Sequence, residues 1–365
     1  MMPQISVFRQ RALPFACVLA LGLAACAPPR DLRPDLDADV WPPRLFSVSM
    51  ESPENLVLTF DKDVTVVPDS LVVEQFDETG LIQTMQDDDD TLGPAVRIGD
   101  DGGERVVLAF DRPTRPGIRY SVGAAVEDSR GNSLQLVAFA YGYNDRVPQL
   151  QINEFTTRRS ANHPEMAELL VLSDGNLGGV TVTTGTQREY SERLIFPSVD
   201  VRTGDYLLLH FRPEGAEHEI SEFGDDLALS GGLNAQDHAR DVWIPGASGL
   251  PSNNGVLAIW EHPAGPPIDA VAWTNRTSAS DERYRGFGSL RMERWVEELV
   301  DAGAWVIEGL SPRPEDLIWI DYSTATRSMN RSPGAANTRS ASDWHTAPTR
   351  GSSWGEENTT DVHMP

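Results

Sequence analysis

Apolar residues recur along this chain in short runs, each ended by a cluster of turn formers, and that rhythm predicts strands rather than helices. Between residues 44 and 146 the runs include Leu56-Val57-Leu58-Thr59-Phe60, Leu71-Val72-Val73, Val106-Val107-Leu108-Ala109-Phe110 and Tyr120-Ser121-Val122. Pro68-Asp69-Ser70 and Asp100-Asp101-Gly102-Gly103 separate them. Strands this short, spaced by Gly, Pro and Asp, indicate an antiparallel sandwich. A second series starts with Gln151-Ile152-Asn153-Glu154-Phe155 and Ala167-Glu168-Leu169-Leu170-Val171-Leu172. It continues through Ile195-Phe196-Pro197, Tyr206-Leu207-Leu208-Leu209, Val256-Leu257-Ala258-Ile259-Trp260 and Ile268-Asp269-Ala270-Val271-Ala272-Trp273. One stretch breaks the pattern. Met292, Trp295, Val296, Leu299 and Val300 fall on one helical face with Gly303 as a stop, so residues 281–305 read as an added helix. Residues 213–252 interrupt the strands with an acidic, Gly-rich insertion carrying Glu217, Glu219, Glu222, Asp225 and Asp226.

The longest uninterrupted apolar run, residues 13–23, lies near the start, behind Arg9 and Arg11. Basic, then apolar, then small residues is the order of a secretory signal, and the run is too short to cross a bilayer, which takes about 20 apolar residues. It ends on Leu23-Ala24-Ala25-Cys26. That ending resembles the lipobox of bacterial lipoproteins, which implies a signal peptide over residues 1–25 and a lipid-carrying Cys26. Two or more acyl chains would make a stable anchor, at about 0.8 kcal/mol per buried CH₂. Ala27 rather than Asp follows, which favours the outer membrane, on its periplasmic or surface face. Residues 26–43, closing on Trp41-Pro42-Pro43, then read as an extended proline-rich tether.

Composition narrows the class further. Cys17 and Cys26 are the two cysteines, so a chain cut before Cys26 folds without an internal disulfide and depends on buried apolar surface. With 55 acidic against 30 basic residues the net charge is -25, which disfavours binding to nucleic acid.

Two further resemblances concern the folded part. Thr59-Phe60-Asp61-Lys62-Asp63-Val64, Gly117-Ile118-Arg119-Tyr120-Ser121-Val122 and Val126-Glu127-Asp128-Ser129-Arg130-Gly131-Asn132 resemble the bacterial Ig-like domain of surface-layer proteins, over residues 44–146. Residues 150–358 look like a lamin-tail domain. The matching pieces are Ile152-Asn153-Glu154, Glu168-Leu169, Asn254-Gly255-Val256, Ile268-Asp269-Ala270, Ser328-Met329-Asn330-Arg331, Ser342-Asp343-Trp344 and, near the end, Asn358. Together they imply an all-β protein of two Ig-like antiparallel β-sandwich domains in tandem. The insertions at 213–252 and 281–305 are departures from the lamin-tail pattern.

Catalytic signatures are missing from the sequence: no His-Glu-x-x-His, no Gly-x-Ser-x-Gly elbow and no phosphate-cradling loop. His210 and His218 flank Glu217 and Glu219, and His163, Glu165 and Glu168 form another loose group. Either would need a loop to fold back before it could hold a metal. Asp87, Asp88, Asp89 and Asp90 supply carboxylates of the kind calcium takes, but without the spacing of an EF-hand, and a solvated loop explains them equally. Apart from Trp41, every tryptophan lies in the second domain, mostly in predicted strands or the helix. Trp354, in a polar stretch, is the one expected at the surface. The expectation is therefore a non-enzymatic, lipid-anchored envelope protein that binds a protein or glycan or serves a structural role. The alternatives are a calcium-dependent adhesin, or a hydrolase using carboxylates of the second domain.

Overall fold

The computed structural model describes residues 40–76, 96–100, 103–278, 280 and 282–364. Leu23, Ala24, Ala25, Cys26 and Asp87, Asp88, Asp89 and Asp90 lie outside them.

The first strands are β1 (Leu45–Ser52), β2 (Asn55–Phe60), β3 (Thr65–Val66) and β4 (Val72–Gln75), then β5 (Val96–Asp100), β6 (Arg105–Phe110), β7 (Arg119–Glu127) and β8 (Ser133–Tyr141). They make two sheets, one in the order β1-β2-β6-β5 and one in which β3 and β4 share one edge of β7 while β8 takes the other. Alternation explains the packing. Leu56, Leu58 and Phe60 of β2 and Val106, Leu108 and Phe110 of β6 point inward, and meet Val122, Val126, Ala138 and Ala140 of the second sheet. The turn from β7 to β8 is held by Asp128. Its Oδ1 accepts from the backbone amides of Arg130 and Asn132, both at 2.9 Å, and its Oδ2 accepts from Asn132 Nδ2 at 2.9 Å. These bonds, the Asn132 side chain foremost, hold the carboxyl down at about 2.

The second series runs β9 (Leu150–Thr156), β10 (Met166–Val171), β11 (Gly175–Asn176), β12 (Thr181–Gly185) and β13 (Tyr190–Ile195). Next come β14 (Asp200–Val201), β15 (Tyr206–His210), β16 (Arg240–Trp243), β17 (Asn254–Trp260) and β18 (Pro267–Thr274). Helix α1 (Leu290–Asp301) precedes β19 (Ile318–Trp319), β20 (Met329–Arg331) and β21 (Trp344–Thr346). A six-stranded sheet, β16-β15-β10-β9-β20-β21, and a five-stranded one, β13-β12-β17-β18-β19, enclose a core separate from the first.

The fold is all-β with one α-helix among the described residues, but not purely antiparallel. β15 pairs with β16, and β18 with β19, in parallel, because each partner returns from a long excursion rather than a hairpin. β16 also revises the reading of residues 213–252, since four residues of that insertion are a buried edge strand. The helix is shorter than 281–305. Ser289 caps it, its Oγ accepting from the Met292 amide at 3.2 Å, and Gly303 at φ +68° follows the last turn. Met292, Trp295, Val296 and Leu299 are buried against the five-stranded sheet. That cover is why β12, β17 and β18 are buried almost end to end, and why β17 and β18 read as near-continuous apolar runs.

Both cores belong to one compact unit, Pro42–Pro365. They meet backbone to backbone. A Cβ on Gly117 would lie 3.1 Å from Phe196 O and 3.2 Å from the Gly178 Cα, and one on Gly178 would lie 2.7 Å from the Pro116 ring. Gly117 also sits at φ +79°, so both space and conformation demand glycine. Asn144 Nδ2 donates to Asn176 O at 2.7 Å and Gly178 O at 2.9 Å, fixing the joint.

Candidate functional site

The structure separates the histidine groups suspected from sequence. His210 is fully buried, its Nε2 2.6 Å from Asp241 Oδ1 and its ring stacked on Trp243 at 3.8 Å. His218 and Glu217 are exposed. Glu219 accepts from the amides of Glu214 and Gly215, both at 2.7 Å, and so caps its own turn. His163 is exposed, Glu165 lies 3.9 Å from Arg212, and Glu168 is buried elsewhere. Among the described residues no group of three His, Cys, Asp or Glu side chains could hold a metal ion.

The buried acids of the second sandwich are spent on the fold. Glu222 accepts from the amides of Leu229 and Ser230 at 3.0 Å and from the Asp241 amide at 2.8 Å, pinning the 213–252 insertion to β16. Arg240, its neighbour on β16, donates to the carbonyls of Glu222 and Gly224. On the other side of the sheet order, Glu154 and Glu168 stand opposite one another on β9 and β10. Glu168 accepts from Asn153 Nδ2 at 2.7 Å and the Gly355 amide at 2.6 Å, and Glu154 from the amide and hydroxyl of Ser353 at 2.9 and 2.8 Å. Burial raises both carboxyls, and the charge of Glu154 pushes Glu168 up further. Asn358 closes the cluster, donating to Asn153 O and Arg331 O at 2.8 Å. A hydrolase would need such acids at the wall of a cleft. Among the described residues, these acids lie away from the walls of four large clefts.

A second buried network centres on Arg331. Its guanidinium donates to Ile152 O at 2.8 Å, Asp269 Oδ2 at 2.9 Å and Asp343 Oδ2 at 3.1 Å, and lies over the Trp344 ring at 4.7 Å. Burial lowers Arg331 and raises Asp269, each opposed by the partner's charge. The charge-assisted bonds oppose that desolvation.

The two larger of the four clefts lie at the joint between the sandwiches. The Gly117–Gly178 approach divides it into two clefts, of about 630 and 680 Å³, which share Arg119 and Tyr141. The larger has a first-sandwich wall bearing Phe76, Arg115 and Arg119, and an opposite wall of Leu194, Phe196 and Pro197 extended by Phe223, Trp243 and Pro245 of the insertion. The Arg119 guanidinium lies 4.1 Å from the Phe76 ring centroid and 5.4 Å from that of Phe139. Nothing in the sequence marked these residues, because the walls draw on positions from 76 to 245. The tryptophan expected at the surface is not the most exposed one. Trp354 is half-buried against Met166, Leu208 and Ala239, whereas Trp319 is 41% exposed.

Among the described residues no helix is long and apolar enough to cross a membrane. A family model described as "protein second domain" matches residues 148–346. An uncharacterized protein of Treponema pallidum (strain Nichols) is 30% identical over 141 residues, which cover 37% of this chain. The aligned part amounts to 34% of that relative's own length.

Proposed function

The chain belongs to the family whose model its residues 148–346 match, and we propose that it is a non-catalytic binding protein of the cell envelope, anchored through Cys26. The observation that carries the reading is the cleft at the joint of the two sandwiches. It is a concave surface of about 680 Å³ with mostly apolar walls and a few polar groups, the form of a small-molecule site. Among the described residues its lining is dominated by apolar side chains with two arginines and two serines, a set suited to holding a ligand. The envelope location rests on Leu23-Ala24-Ala25-Cys26, and the surface-layer Ig-like and lamin-tail resemblances accord with it.

Labelling with radioactive palmitate tests the anchor. The native chain should take up label and sediment with membranes, and Cys26→Ser should do neither. A Cys26→Ser protein that stays membrane-bound overturns the reading. Protease treatment of intact and permeabilised cells then assigns the surface or periplasmic face.

A further inference from the structure

The larger cleft is a local exception to the charge of the molecule. The chain carries 55 acidic residues against 30 basic ones, yet among the described residues the charged side chains lining this cleft are Arg115 and Arg119. Neither has a carboxylate within ion-pair distance among the described residues, and Arg115 is exposed. Arg119 lies with its guanidinium over Phe76, an arrangement that leaves N–H groups at the edge of the fork able to donate. Opposite the two arginines, Leu194, Phe196, Phe223 and Pro245 offer apolar surface relieved by Ser198 and Ser221. Cations stand on one wall and apolar side chains on the other.

We propose that this cleft binds a single-chain anionic amphiphile of the fatty-acid class, its carboxylate on Arg115 and Arg119 and its hydrocarbon against the second-sandwich wall. The assignment rests on the binding reading above and names its ligand. Charge complementarity selects the head, because guanidinium matches a carboxylate with paired N–H donors, whereas a cationic head would meet like charge. The apolar wall selects the tail, since each methylene removed from water contributes about 0.8 kcal/mol. A glycan would find few hydrogen-bonding side chains here, with Ser198 and Ser221 the uncharged hydroxyls of the opposite wall.

Calorimetric titration of the full chain carrying Cys26→Ser tests this with three probes that share a twelve-carbon tail, each below its micellar concentration. They are laurate, dodecyltrimethylammonium and dodecyl maltoside. Laurate should bind at one site, and the other two at least tenfold more weakly. Arg115→Gln, which removes an exposed side chain without an ion-pair partner among the described residues, should weaken laurate about tenfold and leave the urea midpoint unchanged. Phe223→Asp should abolish laurate binding. Equal binding of all three probes, or laurate affinity indifferent to Arg115→Gln, overturns the assignment, as does an absence of laurate binding. None of these results touches the palmitate labelling, so failure here and failure of the envelope reading are separate outcomes.

Discussion

His210 Nε2 lies 2.6 Å from Asp241 Oδ1, and both side chains are closed to water on neighbouring parallel strands. Asp241 also accepts from the Gln236 amide at 2.9 Å, so one carboxylate ties the sheet edge to the insertion. Asp241→Ala would strand His210 and that amide in the interior, at a loss of about 2–4 kcal/mol. Asp241→Asn, which keeps an acceptor for one of them, should lose less. Urea midpoints of the two variants at neutral pH measure the difference, and equal losses would refute the role given to the carboxylate.

Arg331 makes the stronger case for a charge that cannot be replaced. Its removal leaves Asp269 and Asp343 buried and uncompensated, so Arg331→Met should destabilise by about 3–5 kcal/mol. Arg331→Lys should be nearly as damaging. One ammonium cannot span Ile152 O, Asp269 and Asp343 as the planar fork does. Chemical denaturation decides, and a fully stable Lys variant would reduce the network to a point-charge contact.

The Glu154–Glu168 pair predicts a pH dependence with a definite sign. Both folded carboxyls hold their protons above the ordinary value of 4.5, so the folded chain binds more protons than the unfolded chain in that range. Their contribution is therefore present in full below about 4.5 and is lost as pH climbs through the raised value of Glu168. Glu168→Gln cannot ionise and should flatten the stability profile across that window. Urea midpoints taken at a series of pH values supply the comparison, and parallel profiles for variant and native chain would contradict it.

Much of this fold is legible in residue order, for identifiable reasons. Leu56, Leu58 and Phe60, like Val106, Leu108 and Phe110, alternate because one side of each strand meets the core. The helical face of Met292, Trp295, Val296 and Leu299 is visible for the same reason, while its start was missed because Ser289 caps later than the apolar spacing suggests. β16 stayed hidden inside an acidic segment. Arg240 and Asp241 are buried by partners up to 31 positions away, and no local pattern records such pairing. Trp354 misled because its polar sequence neighbours say nothing of Met166, Leu208 and Ala239, against which it packs. The cleft was invisible in principle, being a property of two sandwiches and the angle at which they dock.

That docking is itself open to test. Gly117→Ala places a Cβ against Phe196 O and Gly178 while also straining φ +79°. Gly131→Ala strains a similar φ of +81° in open space. The second should lose about 1–3 kcal/mol from backbone strain, and the first more, because overpacking adds about 1–3 kcal/mol. Denaturation of both, with small-angle scattering of the Gly117 variant, isolates the contribution of the joint. Equal losses would show that the sandwiches tolerate separation there.

The segment around Ser353, Gly355 and Asn358 has one more consequence. Ser353 and Gly355 donate to Glu154 and Glu168, and Asn358 to the Asn153 carbonyl beside them, yet the segment lies beyond residue 346, where the family match stops. A fragment trimmed to residues 148–346 would keep both acidic strands and lose their lid of amides, leaving two carboxylates side by side in an unsealed sheet. The matched span stops short of the residues that close the sheet over its two acids.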